Sequence, residues 1–133
     1  MFASRYPKLI AGMVLVDTSD ADSPHRPDLS KAAEWIDLDA NAALLRKAKG
    51  IGDKPLIVLT ASPTAMDPMI PAAEQENASR VHQDMQRELL GLSTRSRQVI
   101  AAKAGHNIQR EEPQLIIDAI LDVVKLARDR KTD

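Results

Sequence analysis

The stretch VIAAKAGHNIQREEP, residues 99–113, contains a complete junction between a strand and a helix. A short apolar run leads to Gly105 and His106, and an acidic pair with Pro113 then opens a long amphipathic segment. This order predicts that His106 lies on a loop at the carboxyl end of a strand, directly before a helix. Such a position suits a general base, because the scaffold fixes the loop while the imidazole still reaches solvent.

Two further apolar runs, residues 9–17 and 55–60, are rich in Val, Ile and Leu, which is typical of strands covered on both faces. The segments 40–49 and 72–92 predict helices, the second with a stripe of Val81, Met85 and Leu89. The last helix is expected to bury Leu115, Ile116, Ala119, Ile120, Val123 and Leu126. This alternation predicts an α/β fold of about three parallel strands flanked by helices.

The carboxyl ends of parallel strands lie at one edge of a sheet, because right-handed crossovers return each strand in the same direction. Asp17 ends the first predicted strand and His106 follows the third. Both residues are therefore expected on one rim. The alternative for Asp17 is an ordinary strand-end residue that caps a turn.

Composition restricts the partners of the chain. With 133 residues and a net charge of -1, it predicts one domain that binds neither nucleic acid nor an anionic membrane. The chain has no cysteine, which excludes disulfides, thiolate catalysis and zinc–thiolate sites. No apolar run approaches the roughly 18 residues of a membrane span, and the first residues lack a secretory signal, so a cytoplasmic protein is expected.

No cofactor or metal site is expected either. The sequence Gly50-Ile51-Gly52 precedes a strand instead of opening a helix, so it does not predict a phosphate-binding loop. The cluster of Asp20, Asp22 and His25 lies in a proline-containing segment and is read as solvated. His82 has no carboxylate four residues away on its helix and is read as a surface residue.

Taken in order, these segments resemble the C-terminal part of an α/β-hydrolase. Residues 2–17 are similar to the helix after the nucleophile and the sixth strand of that family, and residues 55–60 to its seventh strand. Residues 99–113 and the last helix are similar to the eighth strand, the catalytic histidine loop and the closing helix. The resemblance implies a single partial α/β-hydrolase domain over 1–133, with residues 18–50 and 61–92 as loop or cap-like insertions.

The family uses a serine nucleophile, an acid and a histidine in that order along the chain. The resemblance makes His106 the catalytic base. For the acid it favours Asp17, at the end of the sixth strand of the family, with Asp67 as the alternative and Asp20 a distant third. The acid would accept a hydrogen bond from the imidazole and fix its tautomer.

The nucleophile is where this chain departs from the family pattern. None of its eight serines lies in a G-x-S-x-G sequence, and Ser93, in Gly91-Leu92-Ser93-Thr94-Arg95, is read as a turn residue. In the family the elbow would precede the residues that match Met1. The resemblance therefore implies a truncated chain that is inactive alone. The complete protein would cleave an ester, amide or similar bond of a small-molecule substrate through an acyl-enzyme.

Two other readings stay open. The chain could be a non-catalytic remnant that binds a partner, or self-associates, through the exposed sheet edge of residues 13–16. It could also be a small doubly wound domain, unrelated to hydrolases, in which His106 is incidental.

Overall fold

The computed structural model describes residues 2–18, 50–65 and 70–129. In these ranges the strands are β1 (Met13–Val16), β2 (Leu56–Ala61) and β3 (Ser96–Ala101), and the α-helices are α1 (Phe2–Arg5), α2 (Gln75–Glu88), α3 (Ile108–Glu111) and α4 (Pro113–Asp129). Short 3-10 helices cover Pro7–Leu9, Ala72–Glu74 and Leu89–Leu92.

The described strands form one parallel sheet in the order β1-β2-β3. Val14 pairs with Ile57, and Leu59 pairs with Val99, so the three carboxyl ends lie at the same edge. This confirms the predicted α/β fold with parallel strands between helices, and the arrangement is consistent with part of an α/β-hydrolase fold. The first strand is shorter than expected, because Leu9, the first residue of the apolar run of residues 9–17, ends a 3-10 helix and the chain enters the ladder only at Met13.

Strand β2 lies at the centre and is buried along its whole length. Successive side chains point to opposite faces of a strand. Ile57 and Leu59 therefore join the cluster beneath α4, while Leu56 and Val58 join a second cluster on the other face. Residues of β1 divide in the same way, which explains why a continuous apolar run predicts a strand covered on both sides.

Helix α4 begins at Pro113, as the sequence predicts, because proline lacks only a backbone donor that the first turn leaves unused. Ala119 and Val123 are buried, and Leu115 and Ile116 pack against the same cluster. Ile120 was expected in this buried face, but it is 48% exposed. The helix therefore presents a narrower stripe to the sheet than the sequence predicts, with Ala119 and Val123 as its buried residues.

Helix α2 differs more from expectation. The residues of α2 that are buried are Gln83 and Gln86, whereas Val81 and Met85 of the expected apolar stripe are only partly covered. Leu89, the third member of that stripe, packs at the helix end against the cluster around Val58. Amide side chains are buried here because they bond to backbone at the strand ends, a role that hydropathy does not predict.

Gly50 marks a close approach of two chain segments. A Cβ atom at this position would lie 2.3 Å from the carbonyl oxygen of Leu92. The amide of Ile51 donates to that same oxygen. A side chain at residue 50 would therefore separate the entry to β2 from the turn before β3.

Several predictions fall outside the described residues. These are the helix of residues 40–49, the alternative acids Asp20 and Asp67, and the cluster of Asp20, Asp22 and His25 that was expected to be solvated. The division of 1–133 into a hydrolase domain with insertions at 18–50 and 61–92 stays a prediction; α2 lies within the second of these segments.

In the part of the chain that the structure describes, no helix combines the length and apolar character needed to cross a membrane.

Candidate functional site

Asp17 follows β1 directly and turns the chain out of the sheet. Its amide donates to the carbonyl oxygen of Leu59 at 2.7 Å, which continues the ladder by one step. Its φ of 42° lies in the left-handed region, which aspartate tolerates better than most residues. This conformation accompanies a side chain that is 98% buried, with only 2% of its surface exposed, at the carboxyl edge of the sheet.

Three donors surround the carboxylate of Asp17. Nδ1 of His106 lies 2.9 Å from Oδ2. Oδ1 accepts the amide of Ala61 at 2.8 Å and lies 2.8 Å from Nε2 of His82. The structure therefore brings together Asp17 and His106, 89 residues apart in the chain, and adds a second histidine to the pair.

His106 lies on the loop between β3 and α3, as its sequence context predicts. The acidic pair that follows holds this loop: Glu111 accepts the amide of Gly105 and Glu112 accepts the amide of Lys103, each at 2.8 Å. Ile108, fully buried, anchors the loop from below. The acidic pair that precedes Pro113 in the sequence therefore contacts the histidine loop.

The sequence predicts that His82 is a surface residue, and this prediction is wrong. Its side chain is 36% exposed and its Nε2 contacts a buried carboxylate. The neighbouring Gln83 donates to the carbonyl oxygen of Ala61 at 3.0 Å, and Gln86 donates to that of Thr18 at 2.6 Å. Helix α2 thus places His82 against the strand ends by polar contacts.

No local pattern in the sequence identifies that contact, because its partner lies 65 residues away. A carboxylate four residues from His82 could only be a partner on the same helix, so its absence says nothing about partners on other elements. One sequence signal for this contact is the spacing of His82, Gln83 and Gln86. These three polar side chains lie on the face of α2 that meets the strand ends.

Hydrogen-bond chemistry fixes the ring nitrogens that carry protons. An ionised carboxylate only accepts, so the nitrogen facing each oxygen must be a donor. Neutral His106 is then the Nδ1–H tautomer, which leaves the lone pair of Nε2 available. Since 71% of the His106 side chain is exposed, that lone pair is accessible to a reacting group.

The charges in the cluster support the ionised state of Asp17. Burial raises the pKa of Asp17, but hydrogen bonds from His82, from the Ala61 amide and from His106 outweigh it, so the pKa lies below the ordinary 3.8. The hydrogen bond to Asp17 raises the pKa of His82 above the ordinary 6.5, against the opposing effect of burial. Asp17 therefore stays a carboxylate, and protonated His82 is stabilised beside it.

The described residues supply His106 with no nucleophile. Among the serine and threonine side chains that the structure describes, none hydrogen-bonds to its ring. Ser93 lies in a turn, where its hydroxyl donates to the carbonyl oxygen of Lys54 and accepts the amide of Arg95. In the same ranges no group of three or more histidine and acidic side chains is arranged to hold a metal ion.

The fold and site together describe a parallel α/β unit with an Asp–His pair at the carboxyl edge of its sheet. One similar protein is an AB hydrolase superfamily protein of Gibberella zeae, 43% identical over 53 residues. That segment is 40% of this chain and only 16% of the relative. The match supports a relationship to α/β-hydrolases over that segment. No protein-family model and no solved structure matches the chain.

Proposed function

We propose that this chain supplies the acid–base part of an α/β-hydrolase, with His106 as the general base and Asp17 as its orienting acid. The observation that carries the proposal is the 2.9 Å contact between Nδ1 of His106 and Oδ2 of Asp17. The burial of Asp17 and the exposure of His106 support it, because the carboxylate is fixed while Nε2 faces solvent. The resemblance to the Gibberella zeae protein points to the same class.

In the proposed reaction, Nε2 of His106 takes the proton of a serine hydroxyl as the serine oxygen attacks an ester or amide carbonyl. The imidazolium that forms is stabilised by the carboxylate of Asp17, and it then protonates the leaving group. Water, activated by the same imidazole, hydrolyses the acyl-enzyme. The serine would come from polypeptide outside these 133 residues, since no serine here lies in G-x-S-x-G.

The proposal predicts that these 133 residues have no hydrolytic turnover by themselves. A base without its nucleophile has no proton to take, and an oxyanion without preorganised donors loses about 100-fold or more in rate for each donor. Covalent labelling of any serine of the purified chain by a fluorophosphonate probe would contradict this.

The decisive test reads the coding sequence that precedes Met1 and expresses the longer protein. A reading frame with G-x-S-x-G should give a protein whose elbow serine reacts with the probe and which hydrolyses simple esters. His106→Ala should abolish both, while Gln109→Ala, an exposed change on the neighbouring helix, should leave both intact. A preceding sequence without the elbow, or an active His106→Ala variant, would refute the proposal.

The position of β1 favours a second candidate function, a binding surface. β1 is an edge strand with no described strand on its outer side, and its residues are only partly buried, whereas those of β2 are buried throughout. Unpaired apolar edges promote association. We propose that a second copy of the chain pairs there, so the isolated chain should dimerise with rising concentration in sedimentation experiments. A monomer at all concentrations, with a cooperative melt, would refute this.

A further inference from the structure

Asp17 uses both carboxylate oxygens, and only one of them serves His106. Oδ1 accepts from His82 and from the Ala61 amide, whereas Oδ2 faces His106. A carboxylate held at one oxygen alone can still rotate about its last torsion, which is broad and soft. The contacts at Oδ1 therefore decide where Oδ2 points.

We propose that His82 is a positioning residue for the Asp17–His106 pair: its Nε2–H fixes the carboxylate so that Oδ2 holds His106 in the Nδ1–H tautomer. This inference rests on the proposed function for its catalytic meaning, but the hydrogen-bond role can be measured in the isolated chain.

The placement of His82 is built into the fold. Gln83 and Gln86 bond to backbone at the ends of β2 and β1. Helix α2 is therefore registered against the strand that Asp17 follows and the strand that carries its partner Ala61. His82 reaches the same edge from that registered helix. Its ring is half as exposed as that of His106, which suits a group that holds rather than reacts.

The two rings also share a single negative charge. Among the described residues, the ionisable groups in contact with Asp17 are His82, from α2, and His106, from the loop after β3. When His82 is protonated, its charge offsets that of Asp17, and the field available to a second imidazolium at His106 weakens. Protonation of His82 should therefore oppose the accumulation of positive charge on His106 during catalysis.

The first test uses the unaltered chain and ring-nitrogen NMR at a pH where His82 is neutral. The proposal requires that Nε2 of His82 carries the proton. A neutral His82 in the Nδ1–H form, with an unprotonated Nε2 facing Asp17, would overturn it without any mutation.

The second test compares three variants. His82→Gln keeps a nitrogen donor near the position of Nε2, His82→Met keeps the volume without a donor, and Asn77→Ala changes an exposed amide of the same helix that accepts a hydrogen bond from Arg80. We expect His82→Met to lower the ratio of the Nδ1–H to the Nε2–H tautomer of His106 by about tenfold, the effect of losing one hydrogen bond to a charged group. His82→Gln and Asn77→Ala should retain the native ratio.

The proposal fails if the folded His82→Met variant keeps the native tautomer ratio, or if Asn77→Ala changes that ratio as much. A second readout is the carboxyl titration of Asp17, whose pKa should rise in His82→Met and return towards the native value in His82→Gln.

The catalytic proposal fails separately. If the longer enzyme loses activity in His106→Ala but the tautomer ratio of His106 does not change with substitutions at residue 82, only the role of His82 is refuted. If residue 82 controls the tautomer of His106 but the protein with the additional preceding sequence does not hydrolyse esters, only the hydrolase proposal is refuted.

Discussion

Two histidines reach the same aspartate from different kinds of structure. His106 lies on a loop, is 71% exposed and uses Nδ1, whereas His82 lies within a 14-residue helix, is 36% exposed and uses Nε2. The loop leaves a ring nitrogen accessible to a reacting group, and the helix holds its ring against the sheet edge. The comparison teaches that contact with a carboxylate alone is not enough to propose a base; the side chain must also be accessible to a reacting group.

The largest effect is expected from the residue that the two histidines share. Asp17→Asn keeps the side-chain shape and tolerates the left-handed backbone, but its amide group would donate towards His106 and favour the wrong tautomer. In the proposed longer hydrolase we expect kcat to fall by about 10⁴-fold. Asp122→Asn, at an exposed acid paired with Arg97, serves as the control. Equal activity in the two variants would remove Asp17 from the mechanism.

The supports beneath the two histidines are expected to differ in strength. Ile108 is fully buried under the His106 loop, so Ile108→Ala should lower the free energy of unfolding by about 2–5 kcal/mol. Gln86 supports the His82 helix, but its Oε1 is buried with no partner among the described residues, so Gln86→Ala loses one hydrogen bond and also relieves an unpaired acceptor. We expect urea unfolding to show that Gln86→Ala lowers the free energy of unfolding by about 1–2 kcal/mol. A greater loss at Gln86 would reverse this order.

The pH dependence of stability separates the contributions of Asp17 and His82. The lowered pKa of Asp17 gives stability that is present above 3.8 and is lost as the pH falls through its folded-state pKa. The raised pKa of His82 gives stability that is complete below 6.5 and is lost as the pH rises through its folded-state pKa. The two contributions therefore coincide between these ordinary values.

Urea unfolding of the native chain and of Asp17→Asn checks this window. The difference in unfolding free energy should be largest between pH 3.8 and 6.5 and should narrow on both sides. A difference that does not vary with pH would mean that Asp17 and His82 interact without charge.

The sequence predicts the position of only one of the two histidines beside Asp17. The physical reason is that His106 is marked by local sequence patterns, whereas His82 is not. The strand run, Gly105 and the Glu-Pro helix start are local signals, and the parallel sheet then brings Asp17 to the same edge as His106. His82 depends on the docking of α2, where glutamines bond to strand-end carbonyl groups. Hydrophobic periodicity depends on apolar residues, so it does not predict that these amide side chains are buried.

The acidic pair after His106 gives the smallest predicted effect. Glu111→Ala removes the acceptor of the Gly105 amide at an exposed site, so we expect a loss of about 1 kcal/mol or less and up to about fivefold faster hydrogen exchange at that amide. Gln109→Ala, on the same short helix, should leave the exchange unchanged. Equal exchange in both variants would mean that Glu111 does not hold the loop.

Ring-nitrogen NMR of His106 in the native chain, at a pH where the ring is neutral, tests the Asp17–His106 pair most directly. We predict a single Nδ1–H tautomer with an unprotonated Nε2, because Oδ2 of Asp17 only accepts hydrogen bonds at 2.9 Å from Nδ1. A ring protonated at Nε2 would contradict the assignment of His106 as a base oriented by Asp17.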